Sequence, residues 1–126
     1  MTDINSVFII GRLTKDVEIT YTQNGYALGK ASLAVNHTQK KNGEYVEETS
    51  FFQVNIYGKM AESLRPYLLK GKRIGIDGNL RQNRWEKDGQ KFSRVEINAN
   101  AIQLLSSTEN NQNQIAQNNN YGYYGA

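Results

Sequence analysis

Short stretches of β-type sequence follow one another along the first 105 residues and constrain the fold more than any other feature. Residues 7–13 are apolar on both faces and rich in β-branched side chains, so they predict a strand buried on two sides. Later stretches alternate with the period of two that a half-buried strand requires. Strands are predicted at residues 7–13, with a continuation at 17–21, and at residues 27–37, 49–57, 73–80 and 92–104.

Turn signals and inward-facing residues complete the strand prediction. Asn24-Gly25, Asn42-Gly43 and Asp88-Gly89 each pair a residue that tolerates a positive φ with a glycine, as tight turns require. Residues 80–89 are predicted to connect the last two strands. The side chains predicted to face the core are Ala27, Ala31, Leu33, Val35, Phe52, Val54, Ile56, Ile74, Ile76 and Leu80.

One segment, residues 59–69, has helical spacing instead. Its apolar side chains fall on one stripe, although Pro66 interrupts the second half. The stripe consists of Met60, Leu64, Tyr67 and Leu68. A helix between the third and fourth strands is typical of the five-stranded OB-fold barrel, whereas an SH3-like barrel lacks it. The predicted fold class is all-β with one short helix, arranged as a five-stranded OB-fold barrel.

Length and composition limit the class of protein. The 126 residues suffice for one domain with a single core. Cysteine is absent, which excludes disulfides and thiolate metal sites. The first residues lack a basic segment followed by an apolar one, and no stretch has eighteen apolar residues, so neither export nor membrane insertion is expected. We expect a cytoplasmic protein without a metal or other cofactor.

The last twenty-one residues differ from the rest of the chain. Nine of them are Asn or Gln, and Ile115 is their only large aliphatic side chain. Such a segment buries too little apolar surface to offset the entropy lost on ordering. We therefore expect one OB-fold domain at residues 1–105 and a disordered Asn/Gln-rich tail at residues 106–126.

Aromatic residues occur where a strand face is otherwise polar. On the third predicted strand, Phe51 and Tyr57 share the outer face with Gln53 and Asn55. Trp85, the one tryptophan, falls in the connection between the last two strands. The strand aromatics fit either a ligand-stacking surface or an oligomer interface, and Trp85 fits either base stacking or a lid on the barrel edge.

Basic residues concentrate around Trp85. The net charge is only +3, but between Lys70 and Arg94 eight basic residues face three acidic ones. A solvated surface is the ordinary explanation for such a cluster, but the aromatic residues beside it favour nucleic acid. Aromatic rings stack on bases without reading their edges, while Lys and Arg follow the phosphates. A duplex hides its base faces, so the predicted ligand is single-stranded.

Four blocks of sequence, spanning about residues 4–105, resemble the bacterial single-stranded DNA-binding protein family. Residues 4–16 resemble its first-strand motif, with Gly11-Arg12-Leu13 near the end. Residues 51–62 resemble its aromatic third strand and the entry to its helix. Residues 67–72, and then 78–81 with Trp85, resemble two further motifs. The blocks occur in the family's order and with its spacing.

The resemblance implies a homotetramer of OB-fold domains around which single-stranded DNA wraps in replication, recombination and repair, in the cytoplasm and associated with the nucleoid. It implies base stacking by Phe51, Tyr57 and Trp85. It implies backbone contacts from Lys59, Lys70, Arg81, Arg84 and Lys91, with Asn5 and Lys41 as weaker members of the site.

This chain departs from the family pattern at three places. Thr38-Gln39 stands where many members have another tryptophan, so one stacking residue is missing. Val17 replaces the usual proline, which we interpret as neutral. The family ends in an acidic tip with a final aromatic residue that recruits replication and repair proteins, whereas this chain ends Tyr121-Gly122-Tyr123-Tyr124-Gly125-Ala126. Recruitment through such a tip is not evident in this chain.

Three alternatives follow from the same residues. An enzyme is disfavoured, because His37 is the only histidine and neither a nucleophile motif nor a carboxylate cluster at metal-ligand spacing is visible. An OB-fold RNA-binding module stays open, since stacking residues do not distinguish ribose from deoxyribose. In the third alternative, the basic and aromatic residues form a protein-docking surface on a structural oligomer.

Overall fold

The computed structural model describes residues 1–105 and 123–125. Over these residues the chain forms seven β-strands and one short helix. In chain order they are β1 (Val7–Leu13), β2 (Glu18–Tyr21), β3 (Ala27–Lys41), β4 (Glu44–Tyr57), α1 (Lys59–Leu64), β5 (Arg73–Lys87), β6 (Gln90–Leu104) and β7 (Tyr123–Gly125).

Five strands close into a barrel. The hydrogen-bonded order is β1, β5, β6, β4 and β3, and β3 pairs with β1 again through Arg12 with Ala34 and Leu13 with Leu33. All neighbours are antiparallel except β4 and β6, which are parallel. The short strand β2 does not continue β1 but pairs with β3. The predicted all-β, five-stranded OB-fold barrel with one helix is confirmed.

The core fills the barrel and is closed at one end by α1. Val54 and Ile56 of β4, Ile74 of β5 and Ile102 of β6 are completely buried. Leu64 of the helix packs into the same cluster. Burial of these side chains is the main force that stabilises the barrel.

The two long hairpins extend beyond the barrel. β3 and β4 pair as far as Lys41 and Glu44, and β5 and β6 pair as far as Lys87 and Gln90. Their two-residue turns are the predicted Asn42-Gly43 and Asp88-Gly89, in which all four residues have positive φ. The predicted strands stop short of these turns because most side chains of the extensions are polar on both sides, which leaves little apolar alternation to detect.

The predicted end of the helix and two predicted core side chains are also wrong. The helix ends at Leu64 rather than 69, since Pro66 lacks the N–H that would continue it, and Tyr67 is 52% exposed. Phe52 and Leu80 face the core side, opposite Leu33 and Ile97, yet are 38% and 45% exposed. Both lie where their strands leave the barrel, so the core does not cover them.

The predicted disordered tail falls mostly outside the described residues. Within it, Tyr123–Gly125 form β7, which pairs antiparallel with residues Ala101, Ile102 and Gln103 of β6. The disordered tail stays a prediction.

Candidate nucleic-acid interface

Strands β4, β5 and β6 place the predicted stacking residues on one side of the sheet. In the β5–β6 hairpin Trp85 lies opposite Phe92, and Arg81 lies opposite Glu96. Side chains directly opposite each other point to the same face. The parallel β4–β6 pair sets Asn55 beside Asn98 on that same face.

We call this outward surface of β4, β5 and β6 the aromatic face, and its rings are those of Phe51, Tyr57, Trp85 and Phe92. Their side chains are 67%, 39%, 38% and 39% exposed, respectively. Alternation along β4 puts Phe51 and Tyr57 on the side away from the buried Val54 and Ile56. Phe51 and Tyr57 are exposed in the single chain, as either a stacking surface or an oligomer interface requires.

Trp85 lies on β5 and not in a loop. Its ring is stacked with that of Phe92, with centroids 5.7 Å apart and planes 17° from parallel. The sequence pattern does not reveal Phe92 as a site residue, because it predicts a connection over residues 80–89 and no partner for Trp85. The Asp88-Gly89 turn is the available signal, since counting back from a two-residue turn pairs residue 85 with residue 92.

A polar cluster lies between the rings of the aromatic face. Asn55, on the outer face of β4, is buried and donates from Nδ2 to Glu96 Oε1 at 2.8 Å and to Asn98 Oδ1 at 3.2 Å. Arg94 approaches Glu96 Oε2 with its Nε at 3.7 Å. The Arg94 guanidinium also lies over the Trp85 ring, 5.4 Å from its centroid. This contact is a cation–π arrangement.

The cations around Trp85 divide between the two sides of the β5–β6 hairpin. Arg81 shares the aromatic face. Arg84 and Lys91 alternate to the reverse side, where they line a shallow groove of about 390 Å³ that extends to Trp85 and Phe92. The predicted basic residues therefore do not form one continuous face with Trp85, and Arg84 and Lys91 approach the rings from behind.

Lys59 is joined to the aromatic face through a glycine. It begins α1 directly after Gly58, and Tyr57 ends β4 just before. Gly58 has φ 69°, and a Cβ there would lie 2.9 Å from Tyr26 Oη. The positive φ, together with ψ −143°, favours glycine, whereas the close approach involves the far end of the exposed Tyr26 side chain, which can shift. The turn keeps exposed Lys59 close to Tyr57 in the chain.

Lys70 belongs to a different part of the surface. It lines a groove of about 640 Å³ with Arg12 and Arg73, at the β1 side of the barrel. Its backbone N–H donates to Asp16 Oδ1 at 2.8 Å. The three cations make this groove electropositive.

The two weaker members of the predicted site already have partners. Asn5 Nδ2 donates to the Leu80 carbonyl at 2.8 Å, and Asn5 Oδ1 accepts from the Leu80 N–H at 2.8 Å. This reciprocal pair fixes the N-terminal segment to β5. Lys41, beside the tip of the β3–β4 hairpin, forms an ion pair with Glu48 at 2.9 Å. Both side chains therefore have a structural contact beside any role in binding.

Residues 1–105 and 123–125 contain no group of three or more His, Asp or Glu side chains placed to hold a metal ion. Over the same residues, no helix has the length and apolar character needed to cross a membrane.

Comparison with known proteins identifies relatives of this chain. Residues 4–105 match the model of the "Single-strand binding protein family". A single-stranded DNA-binding protein of Treponema pallidum is 46% identical over 107 residues, which cover 85% of this chain and 61% of that protein. One from Aquifex aeolicus is 46% identical over 104 residues, covering 82% and 71%. The chain thus spans less than two thirds of the Treponema relative.

Solved structures share this fold. Wild-type single-stranded DNA binding protein from Thermus aquaticus superposes with a TM-score of 0.74 at 34% identity, covering 84% of this chain and 52% of that one. An SSB from Plasmodium falciparum, solved in complex with ssDNA, has a TM-score of 0.78 at 22% identity, covering 84% and 98%. With the family model matched over the whole barrel, the chain belongs to the single-strand binding protein family.

Proposed function

We propose that this protein binds single-stranded DNA without regard to sequence, by stacking bases on the aromatic face and holding phosphates with Lys and Arg. The observation that carries the proposal is the convergence of Phe51, Tyr57 and Trp85, from two strands, on one solvent-facing side of the sheet. Rings that stack on bases and leave their edges unread give sequence-tolerant binding, a mode for which single-stranded DNA-binding OB-folds are a standard example.

Phosphate contacts are assigned to the exposed cations Lys59, Lys70, Arg81, Arg84 and Lys91, with Asn5 and Lys41 as further members of the site. Arg81 lies on the aromatic face itself. Arg84 and Lys91 reach a strand that passes over the edge of the hairpin to its reverse side. Lys70 continues the path into the groove that it shares with Arg12 and Arg73.

The proposed setting is replication, recombination and repair, in the cytoplasm and on the nucleoid, as a homotetramer. Support for assembly comes from β1, where Phe8 and Ile10 are 74% and 52% exposed. They line a depression of about 460 Å³ with Gly75 and Leu105. Exposed apolar side chains around such a depression are typical of a subunit interface.

Single-stranded DNA-binding proteins are not enzymes, which agrees with the prediction of a non-catalytic chain. An OB-fold module for RNA is not favoured by the family match. The discriminating measurement is competition between poly-dT and poly-U at fixed salt. We expect poly-dT to bind better, and a clear preference for poly-U would contradict the proposal.

Trp85 provides the direct test, because it is the only tryptophan and reports one location in each subunit. Titration with oligo-dT should quench its fluorescence strongly. Trp85→Ala should weaken binding by about 1–3 kcal/mol. The slope of log K against log salt should change little, because no cation is removed. Unchanged emission together with a lowered melting temperature in Trp85→Ala would show a structural lid instead.

A further inference from the structure

The stacked pair of Trp85 and Phe92 contains more aromatic surface than the proposed site uses. Phe92 lies directly across the hairpin from Trp85, and the two ring planes are nearly parallel. Each side chain keeps more than a third of its surface exposed. The hairpin therefore presents two aligned rings at one place on the aromatic face.

Neither ring is part of the barrel core. The core cluster and the side chains that pack against it come from all five barrel strands, yet they include neither Trp85 nor Phe92. A structural lid is stabilising because it covers buried apolar side chains and buries its own ring. The side chains of residues 80–87 and 90–95 are all exposed, so the pair lies on the part of the hairpin beyond the core, and protection of the core does not explain its position.

A buried carboxylate fixes the pair through Arg94. The Glu96 side chain is 9% exposed, accepts a hydrogen bond from Asn55 and lies 3.7 Å from Arg94 Nε. Arg94 in turn lies over the Trp85 ring. Glu96 holds the Arg94 guanidinium on one side. The guanidinium in turn restricts the Trp85 ring that it covers. The pair is thus ordered in advance, which lowers the entropy lost when a ligand stacks on it.

We propose that Phe92 is a fourth stacking residue, which forms with Trp85 one platform for adjacent unpaired bases, and that Arg94 is the positioning residue of this platform. The proposal rests on the proposed function and adds a subsite to it. Near-parallel rings allow a base to extend the existing stack without its edges being read. Glu96 offsets the charge of Arg94. We therefore assign Arg94 to holding the Trp85 ring rather than to binding a phosphate.

The experiment measures binding of labelled oligo-dT to the full chain, at several salt concentrations, for wild type and Phe92→Leu. We expect Phe92→Leu to weaken binding roughly 5- to 150-fold, which corresponds to the loss of one stacked base. The salt slope should not change, and Phe92→Tyr should bind like wild type because it keeps a ring. Val95→Ala is the matched control, since Val95 is an exposed apolar residue on the other side of β6.

Two further variants separate stacking from folding. Arg94→Ala retains both aromatic side chains but removes the guanidinium that restricts Trp85. We expect weaker binding, an unchanged salt slope and lower fluorescence anisotropy of Trp85. Combining Trp85→Ala with Phe92→Leu should weaken binding less than the product of the single effects, because the two rings act as one platform.

Wild-type affinity in Phe92→Leu, with wild type itself binding oligo-dT, would overturn the platform and leave the proposed function standing. If Phe92→Leu had a lower melting temperature or failed to form the oligomer, but kept wild-type affinity, the platform would also be overturned. Phe92 would then have a structural role. If wild type fails to bind oligo-dT, the proposed function itself is wrong.

Discussion

At the scale of single residues, the two-residue period of the strands decides which cations can accompany the aromatic rings. Arg81 and Arg84 are three positions apart on β5 and look equivalent in the sequence. An odd separation puts them on opposite sides of a strand. Arg81 therefore shares the face of Trp85, whereas Arg84 lies in the groove on the reverse side.

This division predicts different salt dependence for two variants. For oligo-dT, log K falls as log salt rises, and we expect Arg81→Ala to make this slope shallower by about 0.7. That is the value for one phosphate contact on a single strand. Arg84→Ala should have a smaller effect, because Arg84 lies on the reverse side of the hairpin from the aromatic face on which the bases stack. Equal slopes for Arg81→Ala and wild type would remove Arg81 from the backbone contacts.

At the scale of secondary-structure elements, one glycine sets the junction that carries Tyr57 and Lys59. We expect Gly58→Ala to destabilise the protein by about 1–3 kcal/mol, because φ 69° with ψ −143° lies close to a backbone region that essentially only glycine adopts. Overlap with Tyr26 adds to that cost. Thermal melting measures the effect, at about 4–8 °C for each kcal/mol in a domain of this size.

Gly25→Ala is the matched control for this junction. Gly25 also has positive φ, at 77°, but a Cβ there meets nothing within 4 Å. It should therefore show the backbone penalty without the overlap. Equal melting temperatures for the two variants would mean that neither the ψ of −143° at Gly58 nor its contact with Tyr26 adds to the cost.

At the scale of the whole molecule, the exposed apolar side chains of β1 predict assembly. Light scattering or sedimentation at micromolar concentration should find an oligomer for wild type. Phe8→Glu should shift it toward smaller species, because a charge buried at an interface without a partner is strongly unfavourable. Tyr45→Glu, which changes an equally exposed aromatic at the far hairpin tip, should assemble normally. A monomeric wild type would contradict the proposed homotetramer.

The tail allows a second prediction about the whole molecule. Residues 106–126 contain no Lys or Arg, so they offer no phosphate contact. Removing them should leave affinity for oligo-dT within a few-fold of wild type. Hydrogen exchange should rise at residues 101–103 of β6, which lose their pairing with β7. A collapse of binding would show that part of the site lies in the tail.

The sequence by itself predicted the barrel and the Asn-Gly and Asp-Gly hairpin turns, and it proposed Phe51, Tyr57 and Trp85 as stacking residues. Strand alternation and the backbone demands of tight turns are local properties, so one chain segment expresses each of them without knowledge of its neighbours. The helical stripe and its place between the third and fourth strands supplied the topology in the same way.

Tertiary structure alone decided which side chains contact each other across neighbouring strands. The pairing of Trp85 with Phe92, and of buried Asn55 with Glu96, joins residues whose partners are set by the register of the hairpin and by the parallel contact of β4 with β6. The exposure of Phe52 and Leu80 depended on where their strands leave the barrel. Burial and cross-strand contact arise only when separate segments meet, and a period along one strand contains no information about where its neighbour ends.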